Sequence, residues 1–217
     1  MLGMMYQSGS GTTKDLSEAL TWYSKAAQHG NATAENNLGI FYSEGVGTAK
    51  NDAMALALFT RAAEQGSGSA EASLGTMYLA GTGTAQDYAQ ALTWFNKAAA
   101  QGVASAEINL GLMYFDGLGT PQNYAQAFKW FDEAAQKGVA TAEANLGSMY
   151  LNGLGVTRDV AQARSWLEKA AVQGNPNAKA RLALLEQQDD SPNQAAADSG
   201  GDASERSSAN RPAGLRQ

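Results

Sequence analysis

The sequence predicts an all-α protein, a linear array of antiparallel helix pairs, and three observations carry that prediction. Leu-Gly returns at Leu2, Leu38, Leu74, Leu110 and Leu146, always 36 residues on, and Leu182-Ala183 keeps the spacing as a degenerate sixth copy. Twenty of the 24 glycines fall in repeating columns, headed by Gly3, by the pair Gly9 and Gly11, and by Gly30. All four tryptophans, Trp22, Trp94, Trp130 and Trp166, share one position of the period with Leu58 as fifth member, and Tyr6, Tyr42, Tyr78, Tyr114 and Tyr150 share another. A spacing held without insertion means that a unit too small to bury its own apolar face is stacked on copies of itself.

The period divides the chain into a first unit at 1–30, whose opening helix is cut short, and four full units at 31–66, 67–102, 103–138 and 139–174. A capping helix at 175–188 and a disordered tail at 189–217 follow. In the second unit Ala34, Leu38, Phe41 and Tyr42 fall on one face with Gly39 at its edge, the i, i+4, i+7, i+8 stripe of a packed helix. This is helix A, about residues 33–44. Gly45-Val46-Gly47 breaks it, because glycine takes positive φ cheaply and unsettles a helix by about 1 kcal/mol.

Helix B opens on capping boxes: Asp15 with Glu18, Asp87 with Gln90, Asn123 with Gln126, Asp159 with Gln162. In each, the N-cap side chain and the Glu or Gln three residues on are expected to satisfy orphan amides reciprocally. The helix continues through Ala91, Trp94, Phe95, Ala98 and Ala99, where alanines let helices approach and Trp supplies the bulk between them. Gly102 follows as the left-handed residue that ends a helix.

After Gly174, Ala178, Leu182 and Leu185 give one more A helix a buried face, while Lys179, Arg181 and Glu186 make it more polar, as a cap requires. From Asp189 onward Leu215 is the only large aliphatic residue, too little to offset the entropy of ordering. About seven residues precede Leu-Gly in later copies but only Met1 in the first, so an upstream signal segment or further repeats are expected.

The net charge of −6 argues against nucleic acid, whose phosphates call for a basic stripe. The absence of cysteine excludes a disulfide framework and a thiolate zinc site, and leaves the redox compartment open. No run of about 18 apolar residues could span a bilayer. As written the chain reads as cytoplasmic, and as periplasmic or secreted if a signal segment precedes it.

A unit reading A-x-x-x-L-G-x-M-Y-x-x-G-x-G-x-x-x-D-x-x-x-A-x-x-W-[YF]-x-K-A-A-x-x-G closely resembles the Sel-1-like repeat, a relative of the tetratricopeptide repeat. It stands here as Leu74-Gly-Thr-Met-Tyr78, Gly81-Thr-Gly83, Asp87, Ala91, Trp94-Phe95 and Lys97-Ala-Ala99. Departures are Leu58 for Trp, Glu133 for Lys, and the clipped first helix. The resemblance implies a right-handed α/α superhelical solenoid with A helices on the concave side, and adaptors of bacterial envelope, host-contact or signalling complexes.

By the same resemblance, the side of helix A opposite Leu and Tyr faces a groove. Its central positions are Leu79, Ile108, Leu112, Phe115 and Leu151, flanked by a column of amides, Asn37, Asn109 and Asn145, with Ser73 as second member. Exposed apolar patches mark interfaces, whereas the competing reading packs these side chains on neighbouring A helices. Amides both donate and accept, so a ladder of them can pair with the backbone of an extended peptide of any sequence. Five A helices about 9 Å apart would line roughly 36 Å, room for about ten extended residues. The Glu column, Glu35, Glu71, Glu107 and Glu143, sits at the edge of the buried stripe and is expected to pair with Lys25, Arg61 or Lys97.

The Gly-x-Gly loops end a helix five times, whereas a dinucleotide site needs a strand before one such loop. His29, the only histidine, stands at the end of a B helix, where an imidazole suits the dipole. No nucleophile or metal constellation surrounds it. The chain is therefore read as a monomeric adaptor for a protein or peptide partner, not an enzyme, with no cofactor, metal or nucleic acid and no membrane insertion. The alternative is an envelope protein binding a β-lactam or cell-wall polysaccharide.

Overall fold

The computed structural model describes residues 1–187, which form eleven helices and no strand. The expected tail, and Gln188 of the expected cap, lie outside the described residues. The A helices are α1 (Leu2–Ser8), α3 (Ala32–Glu44), α5 (Gly68–Ala80), α7 (Ala104–Asp116), α9 (Ala140–Asn152) and α11 (176–187). The B helices are α2 (Leu16–Gln28), α4 (Asp52–Glu64), α6 (Tyr88–Ala100), α8 (Tyr124–Gln136) and α10 (Val160–Val172). From α1 to α10 each helix packs on its neighbours in the chain, and α5 also touches α7, so the pairs stack into an all-α solenoid. α11 closes the stack through Ala178 and Leu185, buried against Ala144 of α9 and Leu167 and Ala170 of α10.

The Leu-Gly signature has a packing reason. Within each hairpin the side chain following the Trp position, a ring in four and Leu167 in the fifth, lies directly on the helical glycine. A methyl added at Gly39 would come 2.7 Å from Phe59, at Gly111 2.6 Å from Phe131, and at Gly3 2.8 Å from Tyr23. Phe95 and Phe131 are 0% and 1% exposed. The bulk between the helices is therefore Tyr23, Phe59, Phe95, Phe131 and Leu167, rather than the Trp column to which the sequence assigns it. Trp22, Trp94, Trp130 and Trp166 are half-buried one position away, each ring covered by a lysine: Lys25, Lys97, Lys129 and Lys169. Burying the apolar stem while the ammonium stays wet gives lysine a cation–π partner here.

The caps also differ from the expected reciprocal pairs. The N-cap oxygens do accept, Asp87 from the Gln90 amide at 3.0 Å and Asn123 from the Gln126 amide at 3.1 Å. The return donor, however, goes elsewhere. The Asp87 amide donates to the Tyr78 carbonyl at 2.9 Å and the Asn123 amide to the Tyr114 carbonyl at 2.8 Å, as do Asp15 to Tyr6, Asn51 to Tyr42 and Asp159 to Tyr150. One bond thus satisfies an orphan amide of helix B and a last-turn carbonyl of helix A, locking the loop between them. Gly102, at φ 75°, ends α6 in the left-handed conformation the sequence predicts.

The Glu column lies within the buried region rather than at its edge: Glu35 is 0% and Glu107 2% exposed. Its partners come from the end of the B helix in the same hairpin. Gln65, Gln101 and Gln173 donate amides to Glu35, Glu71 and Glu143 at 2.7, 2.7 and 2.8 Å, and the Lys137 ammonium reaches Glu107 at 2.5 Å. Arg61 pairs with Glu35, as expected, and also donates to the Ala27 carbonyl of the preceding unit. Lys25 and Lys97 lie on tryptophans instead. Because a buried carboxylate left without donors is costly, this column pins the four hairpins from α3–α4 to α9–α10 closed at one end.

Candidate functional site

Residues of helix A that do not serve the hairpin contact face the neighbouring A helices, and there the structure separates packing from surface. Ala72 and Ala144, from the column that contains Ile108, are buried against the next unit. Ile108 itself packs against the clusters around Ala142, Leu146 and Met149. The next column turns outward: Ile40 and Ser148 are half-buried and Thr76 exposed, while Leu112 is 39% exposed. In the third column Leu79 and Leu151 are half-buried against the next unit's core, and Phe115 meets Tyr124 edge-on, with ring centroids 5.1 Å apart.

Two cavities open between successive A helices at equivalent places two periods apart. One, about 390 Å³, lies between α3 and α5 and is lined by Ile40, Ser43, Ser73, Thr76 and Met77. The other, about 210 Å³, lies between α7 and α9 and is lined by Leu112, Phe115, Asn145, Ser148 and Met149, with Phe131 at its floor. Its far wall is Arg181 of α11, and an adjoining cavity of about 230 Å³ shares Arg181 and Asn152 and adds Leu151, Arg158 and Leu185. Among the positions read from the sequence, Leu112, Phe115, Asn145 and Leu151 therefore come together around α9.

The remaining positions stand apart. Asn109 turns its amide back to the Ser105 carbonyl of its own helix at 2.8 Å, and Leu79 and Ile108 serve the packing between units. Asn37 lines a separate cavity of about 300 Å³ with Leu2, Trp22 and Tyr23. There burial raises the Tyr23 phenol above its ordinary range, opposed by a hydrogen bond with Asn37, while the Tyr23 hydroxyl donates to Gln7 at 2.6 Å.

Arg181 is the site residue that sequence reasoning passed over as decoration of a cap. Counting by period places it in the amide column, after Asn109 and Asn145. Arg158 likewise stands where Gln86 and Gln122 stand in the two preceding units. Those glutamines donate to the Leu79 and Phe115 carbonyls at 2.8 Å, and Arg158 Nε does the same to Leu151 at 2.9 Å.

Comparison with known proteins agrees with the repeat architecture. The Sel1 repeat family model matches residues 1–31, 32–67, 68–103, 104–139 and 140–175 in unbroken succession. The chain is a Sel1 repeat protein. Among solved structures, a protective antigen of uropathogenic Escherichia coli displaying an SLR fold is 39% identical, with a TM-score of 0.78 over 86% of this chain and 40% of that one. The chain thus spans less than half the length of that antigen. A Sel1 repeat protein from Oxalobacter formigenes is 35% identical, with a TM-score of 0.76 over 81% of this chain and 70% of that one. A third, from Klebsiella pneumoniae, at 24% identity and a TM-score of 0.57 over 85% and 89% of the two chains, shares the fold. No curated protein matches the chain. Sel1 repeat proteins are generally scaffolds for protein interaction.

Proposed function

We propose that this Sel1 repeat protein is an adaptor that holds an extended peptide or an exposed helix of a partner protein in the groove between its A helices. One observation carries the reading: the cavity between α7 and α9 is walled by Leu112, Phe115 and Asn145, apolar side chains beside an amide, in space that the packing of these helices leaves open. Ligand sites of this kind combine apolar walls with a few convergent polar groups. A bacterial envelope, host-contact or signalling complex is the proposed setting, and the likeness to an antigen supports it.

The test compares partner capture by the intact chain with capture by two groove variants and one distant control. Phe115→Ala and Asn145→Ala should each weaken capture of a reproducible partner by tenfold or more. Thr93→Arg, on the exposed side of α6, should leave it unchanged. Equal capture by all four proteins would overturn the reading. Retention on cell-wall material or turnover of a β-lactam probe would favour the envelope alternative.

A further inference from the structure

The two ends of the groove differ in charge. Around the cavity between α3 and α5 stand Glu44, Lys50 and Asp52, with Lys50 paired to Asp52 at 3.4 Å, so the cation there is neutralised internally. The joined cavities beside α11 are lined by Arg158 and Arg181 and, among the described residues, by no carboxylate. Arg181 is exposed and makes no hydrogen bond or ion pair among the described residues, and Arg158 uses Nε on the Leu151 carbonyl, leaving its terminal nitrogens free of protein partners there. In a chain of net charge −6, a concave surface with two guanidinium groups and no acid among the described residues is complementary to an anion.

Resting on the groove reading above, we propose that this end of the groove recognises an acidic side chain within an extended partner segment. The apolar cavity at Leu112 and Phe115 takes an aliphatic or aromatic residue, and Arg181, at the boundary between the cavities, takes an Asp or Glu. With A helices about 9 Å apart and about 3.3 Å of strand per residue, the acid stands about three positions from the apolar residue. The second cavity, with Leu151 and Leu185, continues past Arg181, so the chain runs on. The carboxylate therefore belongs to a side chain inside the segment and not to a chain terminus. Planar guanidinium groups bind carboxylates in a two-pronged way, which lysine cannot reproduce.

The test is selection of a random peptide library, fused through its C-terminus to a phage coat protein so that no peptide α-carboxylate is free, against the full chain. Enriched peptides should carry an aliphatic or aromatic residue with Asp or Glu about three positions away, always on the same side. Against Arg181→Gln the acidic preference should vanish while the apolar preference stays. Synthetic copies of the selected peptides should then bind Arg181→Gln about ten- to a hundredfold more weakly. Selection against Leu112→Glu should lose both preferences. Both substitutions are at exposed positions, and an unchanged far-UV circular dichroism spectrum shows the array intact. Acidic enrichment that persists with Arg181→Gln, or apolar enrichment without acid, overturns this inference but leaves the groove standing. Peptides indifferent to Leu112→Glu overturn the groove itself.

Discussion

Gly111→Ala puts the packing account at risk in a single methyl. Alanine should stabilise the interior of α7 by about 1 kcal/mol through helix propensity alone. In this structure, however, the new methyl would lie 2.6, 2.7 and 2.9 Å from three atoms of the Phe131 ring. That ring is 1% exposed and packed with Ala127 and Met149, so relief requires either displacing it toward the cavity it floors or separating α7 from α8. Overpacking costs about 1–3 kcal/mol, and three contacts this short put the cost near the top of that range. The net expectation is a loss of about 2 kcal/mol. With Phe131→Ala in the background these three contacts are gone, and Gly111→Ala should gain about 1 kcal/mol, a coupling of about 3 kcal/mol. Arrays need not unfold in one step, so the readout is amide hydrogen exchange of α7 and α8 across low urea concentrations. Equal losses in both backgrounds, or a gain in the otherwise unaltered chain, would refute the reasoning.

Other perturbations follow from the same contacts. Phe95→Ala should cost about 3–5 kcal/mol, and Trp94→Ala, on a half-buried ring, about 1–3 kcal/mol; urea unfolding that ranks the two the other way would return the core to the Trp column. Gln101→Ala removes the amide on buried Glu71 and should cost about 1–3 kcal/mol, seen as a lower urea midpoint. The Tyr23 and Tyr150 phenols are raised by burial, the second also by Asp132 and Asp159. Their folded values exceed the unfolded one, near 10, so their contribution is whole below about pH 10 and is lost as pH rises through the folded values. Tyr23→Phe should flatten part of that alkaline decline in thermal melts between neutral pH and pH 11.

The helices and their order were legible because a repeat multiplies every signal: each glycine break and each N-cap residue is seen several times over. What one helix could not disclose is its neighbour's position. Trp94 and Phe95 are adjacent and both apolar, and only the approach of Gly75 on α5 decides which ring is enclosed. The partner of Glu71 could not be read because Gln101 lies 30 residues on and is neutral, whereas charge matching points to lysine. That Leu112, Phe115 and Asn145 share one side of the A helices was legible from the period, and they line one cavity. Ile108 was not separable from them, since its column becomes buried only when α9 is laid alongside. Arg181 was legible by period alone, but its helix read as a cap, and capping and binding use the same exposed polar residues.

The central claim is that binding lives on the outward columns of the A helices and not on the B-helix surface. A photo-reactive phenylalanine analogue placed at Leu112 or at Thr93 tests it directly in the cells that make this protein. Illumination should yield a protein adduct from position 112, mapped by mass spectrometry to an extended segment of the partner, and none from position 93. Adducts at 93 with none at 112 would contradict the account.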